Sequence, residues 1–136
     1  MKRTCLAIAV LLGLCSFFAG CGEKEAPRTI KEYPLDNMAG VLTQSNVVFD
    51  PGVSTDNRGS LRIDAPSPMT VRLYEVRDID VDKARLTYQA RLKTRDFEGK
   101  VFLEMWCVFT GKGEYFSRAL ETFVTGTTEW VTQETP

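Results

Sequence analysis

The sequence has no histidine among its 136 residues. This absence excludes Ser-His-Asp and Cys-His catalysis, histidine general bases, and zinc or iron sites that need an imidazole ligand. An excess of charge of one sign is also missing, because 17 basic residues stand beside 18 acidic ones. Such a balance predicts no nucleic-acid partner, because proteins that bind nucleic acids usually present a basic surface to the phosphate backbone. The length corresponds to one domain.

Long apolar runs are scarce, and the one at the N-terminus is too short to span a membrane. After Lys2 and Arg3, residues 5–19 contain no charged side chain. A permanent transmembrane helix needs roughly 20 apolar residues, which is more than this run provides. A basic start, an apolar centre and small residues at the end indicate a helical signal peptide over residues 1–20.

Residues 18–21 (FAGC), at the end of this run, resemble the bacterial lipobox. The resemblance implies cleavage before Cys21, a diacylglycerol on its thiol and an acyl chain on its new amine. Several acyl chains anchor a protein stably, whereas one binds reversibly. Gly22 stands where an aspartate would signal inner-membrane retention, so the resemblance implies a cell-envelope protein. In a source with two membranes it would lie on the outer one, facing the periplasm or the surface. The alternative is an ordinary secretory signal with a chance cysteine.

The cysteine count predicts a mature domain without an internal disulfide. Cys5 and Cys15 leave with the signal and Cys21 is lipidated, so Cys107 remains alone. Its apolar neighbours predict a structural thiol. Residues 21–44, charged and containing two prolines, are predicted to be the lipidated cysteine and a polar tether. The folded domain is then expected over residues 45–136.

Residues beyond 45 alternate between apolar and polar side chains, with turn residues between the alternating segments. In 84–93, for example, Leu86, Tyr88, Ala90 and Leu92 share one face. No helix is predicted in this part of the chain. Seven strands are predicted, at 46–49, 60–64, 70–76, 84–93, 100–109, 115–120 and 128–133. Many short strands at this spacing predict an all-β fold, an antiparallel β-sandwich.

Several of these segments resemble the galactose-binding-like jelly roll of carbohydrate-binding modules, especially versions carried by small bacterial lipoproteins. The segments are SLRID (60–64), VRLYEV (71–76), ARLTYQARLKT (84–94), VFLEMWCVF (101–109) and GTTEWVTQETP (126–136). The resemblance covers residues 45–136 and implies a carbohydrate ligand. In such domains further strands follow the one after Trp130, so it also implies that the last strands are missing here.

Segment 100–109 carries the predicted ligand site. Alternation places Val101, Leu103, Met105, Cys107 and Phe109 on a core face, and Phe102, Glu104, Trp106 and Val108 on the opposite face. An indole beside a carboxylate suits a sugar, because the ring stacks on the pyranose and the carboxylate accepts hydroxyl hydrogen bonds. The alternative is that this face is covered by the N-terminal segment or another subunit. Further ligand contacts are predicted at Arg72, Tyr74, Arg91 and Arg118, each with a solvated outer face as its alternative.

Three functions follow from these residues. The first is a non-catalytic, lipid-anchored envelope protein that binds carbohydrate, and the second is a structural or protein-interaction lipoprotein that uses the same face. The third, a glycosidase, needs a second carboxylate near Glu104 that is not evident, so no enzyme is predicted. Loop oxygens at 56–64 and 78–82 are of the kind that calcium prefers, but their spacing matches no calcium loop, so no cofactor is predicted.

Overall fold

A computed structural model describes residues 26–81 and 83–136 of the chain. The predicted signal peptide and Cys21 lie outside these residues. The described part forms strands β1 (Val47–Asp50), β2 (Ser60–Ile63), β3 (Tyr88–Leu92), β4 (Phe97–Val101), β5 (Glu104–Phe109), β6 (Gly113–Arg118), β7 (Val124–Gly126) and β8 (Val131–Thr135), with a short 3-10 turn at Leu120–Thr122.

The strands form four antiparallel pairs, β1–β2, β3–β8, β4–β7 and β5–β6. The all-β prediction is confirmed, since the 3-10 turn is the one helical element in residues 26–81 and 83–136. No helix in these ranges has the length and apolar character to cross a bilayer. The β3–β8 pair, in register from Tyr88 opposite Thr135 to Leu92 opposite Val131, joins the middle of the chain to its C-terminal segment.

The β1–β2 pair shows how local sequence sets a turn. Asp50 Oδ1 accepts a hydrogen bond from the Gly52 N–H at 2.9 Å, which bends the chain after β1. Gly59, just before β2, has a φ of +92° and lies against Phe49 of the paired strand. A Cβ there would meet the Phe49 ring at 2.5 Å, so only glycine fits.

The core combines a few apolar side chains with buried polar ones. The buried apolar residues are Val41, Val47, Leu103, Ala119 and Val124, and the buried polar ones are Thr94, Gln133 and Thr135. The polar members are hydrogen-bonded to other segments, as buried polar groups must be. The Thr135 hydroxyl, for example, shares a 2.5 Å hydrogen bond with the Ser117 hydroxyl. Side-chain hydrogen bonds from Thr135 and Gln133 thus join the β3–β8 pair to β6 and to the residue before β5.

The predicted strand 100–109 is two strands. β4 ends at Val101 and pairs with β7, whereas β5 begins at Glu104 and pairs with β6. The ladder breaks at Leu103, because its N–H is bound by the Gln133 side chain at 2.6 Å. Phe109 was predicted to face the core and is instead 49% exposed at the end of its hairpin. The predicted alternation in 84–93 is confirmed, although β3 begins only at Tyr88.

The predicted strand 70–76 is not a strand in the structure. It makes two backbone hydrogen bonds to the preceding segment, from Leu42 N–H to Leu73 O (3.0 Å) and from Thr43 N–H to Arg72 O (2.9 Å). That preceding segment falls within the predicted tether, yet its Val41 is buried. Residues 41–43 of the predicted tether therefore contact the rest of the described chain.

Candidate functional site

The β5–β6 hairpin brings three of the predicted ligand residues together. Its register places Glu104 opposite Arg118 and Trp106 opposite Phe116. Directly opposed side chains on one face of an antiparallel pair are close enough to interact. We call this set of four side chains the hairpin face.

Each member of the hairpin face contacts two others, so the four form a closed ring. The Trp106 Nε1–H donates to Glu104 Oε1 at 2.5 Å, and the Arg118 Nε–H donates to Glu104 Oε2. The Arg118 guanidinium lies 4.7 Å from the Phe116 ring centroid. The Phe116 and Trp106 rings are 5.1 Å apart and inclined at 32°. The conformation of each side chain is thereby fixed by two neighbours.

The electrostatics of this ring favour an ionised Glu104. The hydrogen bond from Trp106, and then that from Arg118, lower the pKa of Glu104 below its usual range. A glycosidase general acid needs the opposite shift, a raised pKa that keeps its proton near neutral pH. The arrangement suits a carboxylate that accepts hydrogen bonds.

The aromatic part of the hairpin face is open to solvent. Trp106 is 52% exposed and Phe116 is 56% exposed. A ring with an exposed surface, held in place by its edge, can stack on an apolar ligand surface without first losing conformational freedom. The hairpin face therefore combines a fixed aromatic platform with an adjacent acceptor and donor.

The other predicted ligand residues lie elsewhere. Tyr74 is stacked on Tyr33, with centroids 3.8 Å apart and planes at 9°. Its burial, and then Tyr33, raise the pKa of Tyr74. Arg72 and Arg91 are exposed, the latter on β3 opposite Thr132. Within the described residues, no hydrogen bond, ion pair or ring contact joins these three predicted residues to the hairpin face.

Phe116 is the one member of the hairpin face that was not predicted as a ligand residue from the sequence. The predicted strand 115–120 lacked a register, so its partner on 100–109 was undefined. The sequence feature that could have indicated Phe116 is the pair of glycines between β5 and β6, Gly111 and Gly113, which both have positive φ in the turn. A turn placed there pairs Trp106 with Phe116.

No cluster of three or more His, Cys, Asp or Glu side chains in 26–81 and 83–136 is arranged to hold a metal ion. Comparison with protein-family models, curated proteins and solved structures gives no match to this chain.

Proposed function

We propose that this chain is a non-catalytic, lipid-anchored protein of the bacterial cell envelope that binds carbohydrate on its hairpin face. The observation that carries the proposal is the closed ring of contacts among Glu104, Trp106, Phe116 and Arg118. It holds an exposed indole beside an ionised carboxylate without help from a ligand. Such preorganisation lowers the entropy that binding would otherwise lose.

Each group has a distinct role in the proposed complex. The Trp106 ring stacks on the apolar face of a pyranose. Glu104 keeps lone pairs free on both oxygens after accepting its two intramolecular bonds, so it can accept from sugar hydroxyls. Arg118 uses its Nε–H on Glu104, which leaves its Nη groups to donate to sugar oxygens. Because the two charges compensate each other, a neutral sugar meets acceptors and donors without a net charge.

The anchor and the finer architecture belong to the same proposal. The lipobox-like residues 18–21 support lipidation at Cys21, and with it attachment to a membrane. The side-chain bonds between strand pairs support a jelly-roll sandwich. Gln133 of β8 reaches the residue before β5, and Thr135 of β8 reaches Ser117 of β6. These contacts would bring β3–β8 and β5–β6 into one packed unit.

A protein-binding function is the second candidate, and one observation favours it. Apolar exposure continues past the hairpin face to the end of the hairpin, where Val108 is 72% exposed. Phe109 and Tyr115 are also exposed there, in edge-to-face contact at 5.7 Å. Exposed apolar patches of this kind mark binding surfaces for proteins as well as for ligands.

The two candidates are separated by alanine variants on opposite faces of the same hairpin. Trp106→Ala removes an exposed ring from the hairpin face, and Tyr115→Ala removes one from the other face. Binding of the full-length protein to a panel of immobilised glycans should fall about tenfold or more in Trp106→Ala, because the variant loses both the apolar area that the ring buries against the sugar and the stacking contact, together worth more than about 1.4 kcal/mol. Binding by Tyr115→Ala should stay within about twofold of wild type, because Tyr115 lies on the other face of the hairpin.

Circular dichroism on both variants gives the folding control. Equal glycan binding by wild type and Trp106→Ala would contradict the carbohydrate site. Absence of glycan binding, together with capture of an envelope protein that depends on Tyr115, would favour the protein-binding candidate.

A further inference from the structure

We propose that the free edge of β6 pairs with the β6 edge of a second copy of this chain, giving a continuous four-stranded antiparallel sheet. In the part of the chain that the structure describes, β6 pairs with β5 alone. Its other edge carries backbone donors and acceptors of the kind that template pairing with another strand. This inference goes beyond the proposed function and does not depend on it.

The β5–β6 register determines which backbone groups face outward. The Ala119 N–H donates to Leu103 O at 3.0 Å, in the same register that pairs Glu104 with Arg118. In an antiparallel pair, alternate residues direct both backbone groups toward the partner strand. Residues 113, 115, 117 and 119 therefore face β5, and the N–H and C=O groups of Glu114, Phe116 and Arg118 face away from it.

Glu114 and Arg118 lie at equal distances along β6 on either side of Phe116 and carry opposite charges. A two-fold axis at Phe116 places that residue opposite its own copy, and Glu114 of each chain opposite Arg118 of the other. All three facing pairs consist of outward-directed groups, so each can exchange two backbone hydrogen bonds. Isologous pairing of this type closes into a dimer and leaves no repeat to propagate.

The side chains complement one another in the same register. Arg118 is bound to Glu104 through Nε, which leaves its Nη groups directed to other acceptors, and Glu114 of the second copy would lie beside them. Opposite charges facing each other across strands stabilise a pair, and like charges destabilise it. Centring the axis on Tyr115 would set Arg118 against Lys112, and centring it on Ser117 would set Glu114 against Leu120. Of these three registers, only the one centred on Phe116 pairs opposite charges.

The centre of the edge carries neither proline nor lysine, two residues that commonly prevent strand pairing. The two charged residues that flank the centre, Glu114 and Arg118, attract each other in the proposed register. The centre of β6 is Tyr115 and Phe116, both more than half exposed. The proposed dimer would place two Phe116 rings side by side between two Trp106 rings, which doubles the width of the hairpin face.

Charge reversal at Glu114 of the full-length protein tests the pairing. In a homodimer, Glu114→Arg sets arginine against Arg118 at both charged pairs, whereas Glu114→Gln removes the attraction without adding repulsion. We expect the dimer dissociation constant, measured by sedimentation in density-matched detergent, to rise about tenfold or more in Glu114→Arg and by a smaller factor in Glu114→Gln.

The matched control is Glu98→Arg, which makes the same charge change at an exposed position of β4 and should leave the dissociation constant unchanged. Glu114→Arg keeps the closed ring of the hairpin face, so its loss of dimer cannot come from loss of that ring. A monomeric wild type, or a Glu114→Arg variant that dimerises as wild type does, would overturn the proposal.

Discussion

Gln133 holds together three segments, and its replacement by leucine should destabilise the protein strongly. The side chain is 3% exposed; its Oε1 accepts from Leu103 N–H at 2.6 Å and its Nε2 donates to Thr122 O at 2.5 Å. Leucine has a volume similar to that of glutamine but can make neither hydrogen bond. The buried Leu103 N–H would lose its partner at a cost of about 1–3 kcal/mol, and the exposed Thr122 carbonyl would lose less because water reaches it.

The expected loss for Gln133→Leu is therefore about 2–4 kcal/mol, a large part of the roughly 5–15 kcal/mol that holds a domain folded. Urea denaturation followed by circular dichroism measures it. The matched control is Gln89→Leu on β3, where the same side chain is exposed and makes one 3.4 Å hydrogen bond to Glu134. A free energy of unfolding for Gln133→Leu within about 0.5 kcal/mol of that for Gln89→Leu would show that the two buried hydrogen bonds of Gln133 do not stabilise the protein.

Three further perturbations have defined outcomes. The pKa of Glu104 in the folded protein is lowered below its unfolded value of about 4.3. The stabilisation that ionised Glu104 gives is therefore complete above the unfolded pKa and is lost as the pH falls through the folded pKa. The difference in unfolding free energy between wild type and Glu104→Gln should shrink on acidification. Tyr33→Ala removes the stacking on Tyr74, and residues 26–36 should be cleaved faster in limited proteolysis. Gly59→Ala should lower the free energy of unfolding in urea by more than about 1 kcal/mol, since its Cβ would overlap the Phe49 ring at a positive φ.

Each of these predictions has a matched control. For Glu98→Gln, at an exposed position of β4, the difference in unfolding free energy from wild type should not change with pH. A pH dependence equal to that of Glu104→Gln would contradict the ring of contacts. Tyr33→Phe keeps the stacked ring and should resist protease as wild type does. Gly111→Ala also has a positive φ, +74°, but meets nothing within 4 Å. Equal destabilisation by Gly59→Ala and Gly111→Ala would show that the Phe49 contact is irrelevant.

The alternation of apolar and polar residues was enough to predict the all-β class and most strands. It placed β1, β2 and β8 within a few residues, because each has a clear turn before or after it. It also identified Glu104 and Trp106 as neighbours on one face, since residues two apart on a strand share a face at any register. Their contact with Arg118 and Phe116 depends on the β5–β6 register, which the pattern of one strand does not contain.

The errors have a common physical cause, which is that long-range partners decide where a ladder ends. The apolar residues of 100–109 predict one continuous strand. The side chain of Gln133, which is distant in sequence, accepts the hydrogen bond of the Leu103 N–H, and the segment is divided there into β4 and β5. β7 was missed because three residues, Val124–Gly126, are too few for a period-two pattern. The stacking of Tyr74 on Tyr33 is likewise a contact between residues distant in sequence, which no local pattern indicates.

The most direct test of the carbohydrate site is a fluorescence titration with Trp106 as the single tryptophan. The sequence has two tryptophans, so Trp130→Phe leaves only the one on the hairpin face. A sugar site at Trp106 predicts a saturable change in emission on adding neutral oligosaccharides. The change should be absent from the reciprocal Trp106→Phe variant, in which Trp130 is the emitting residue. Emission from Trp106 that stays constant while the protein binds the same oligosaccharide would contradict a site at Trp106.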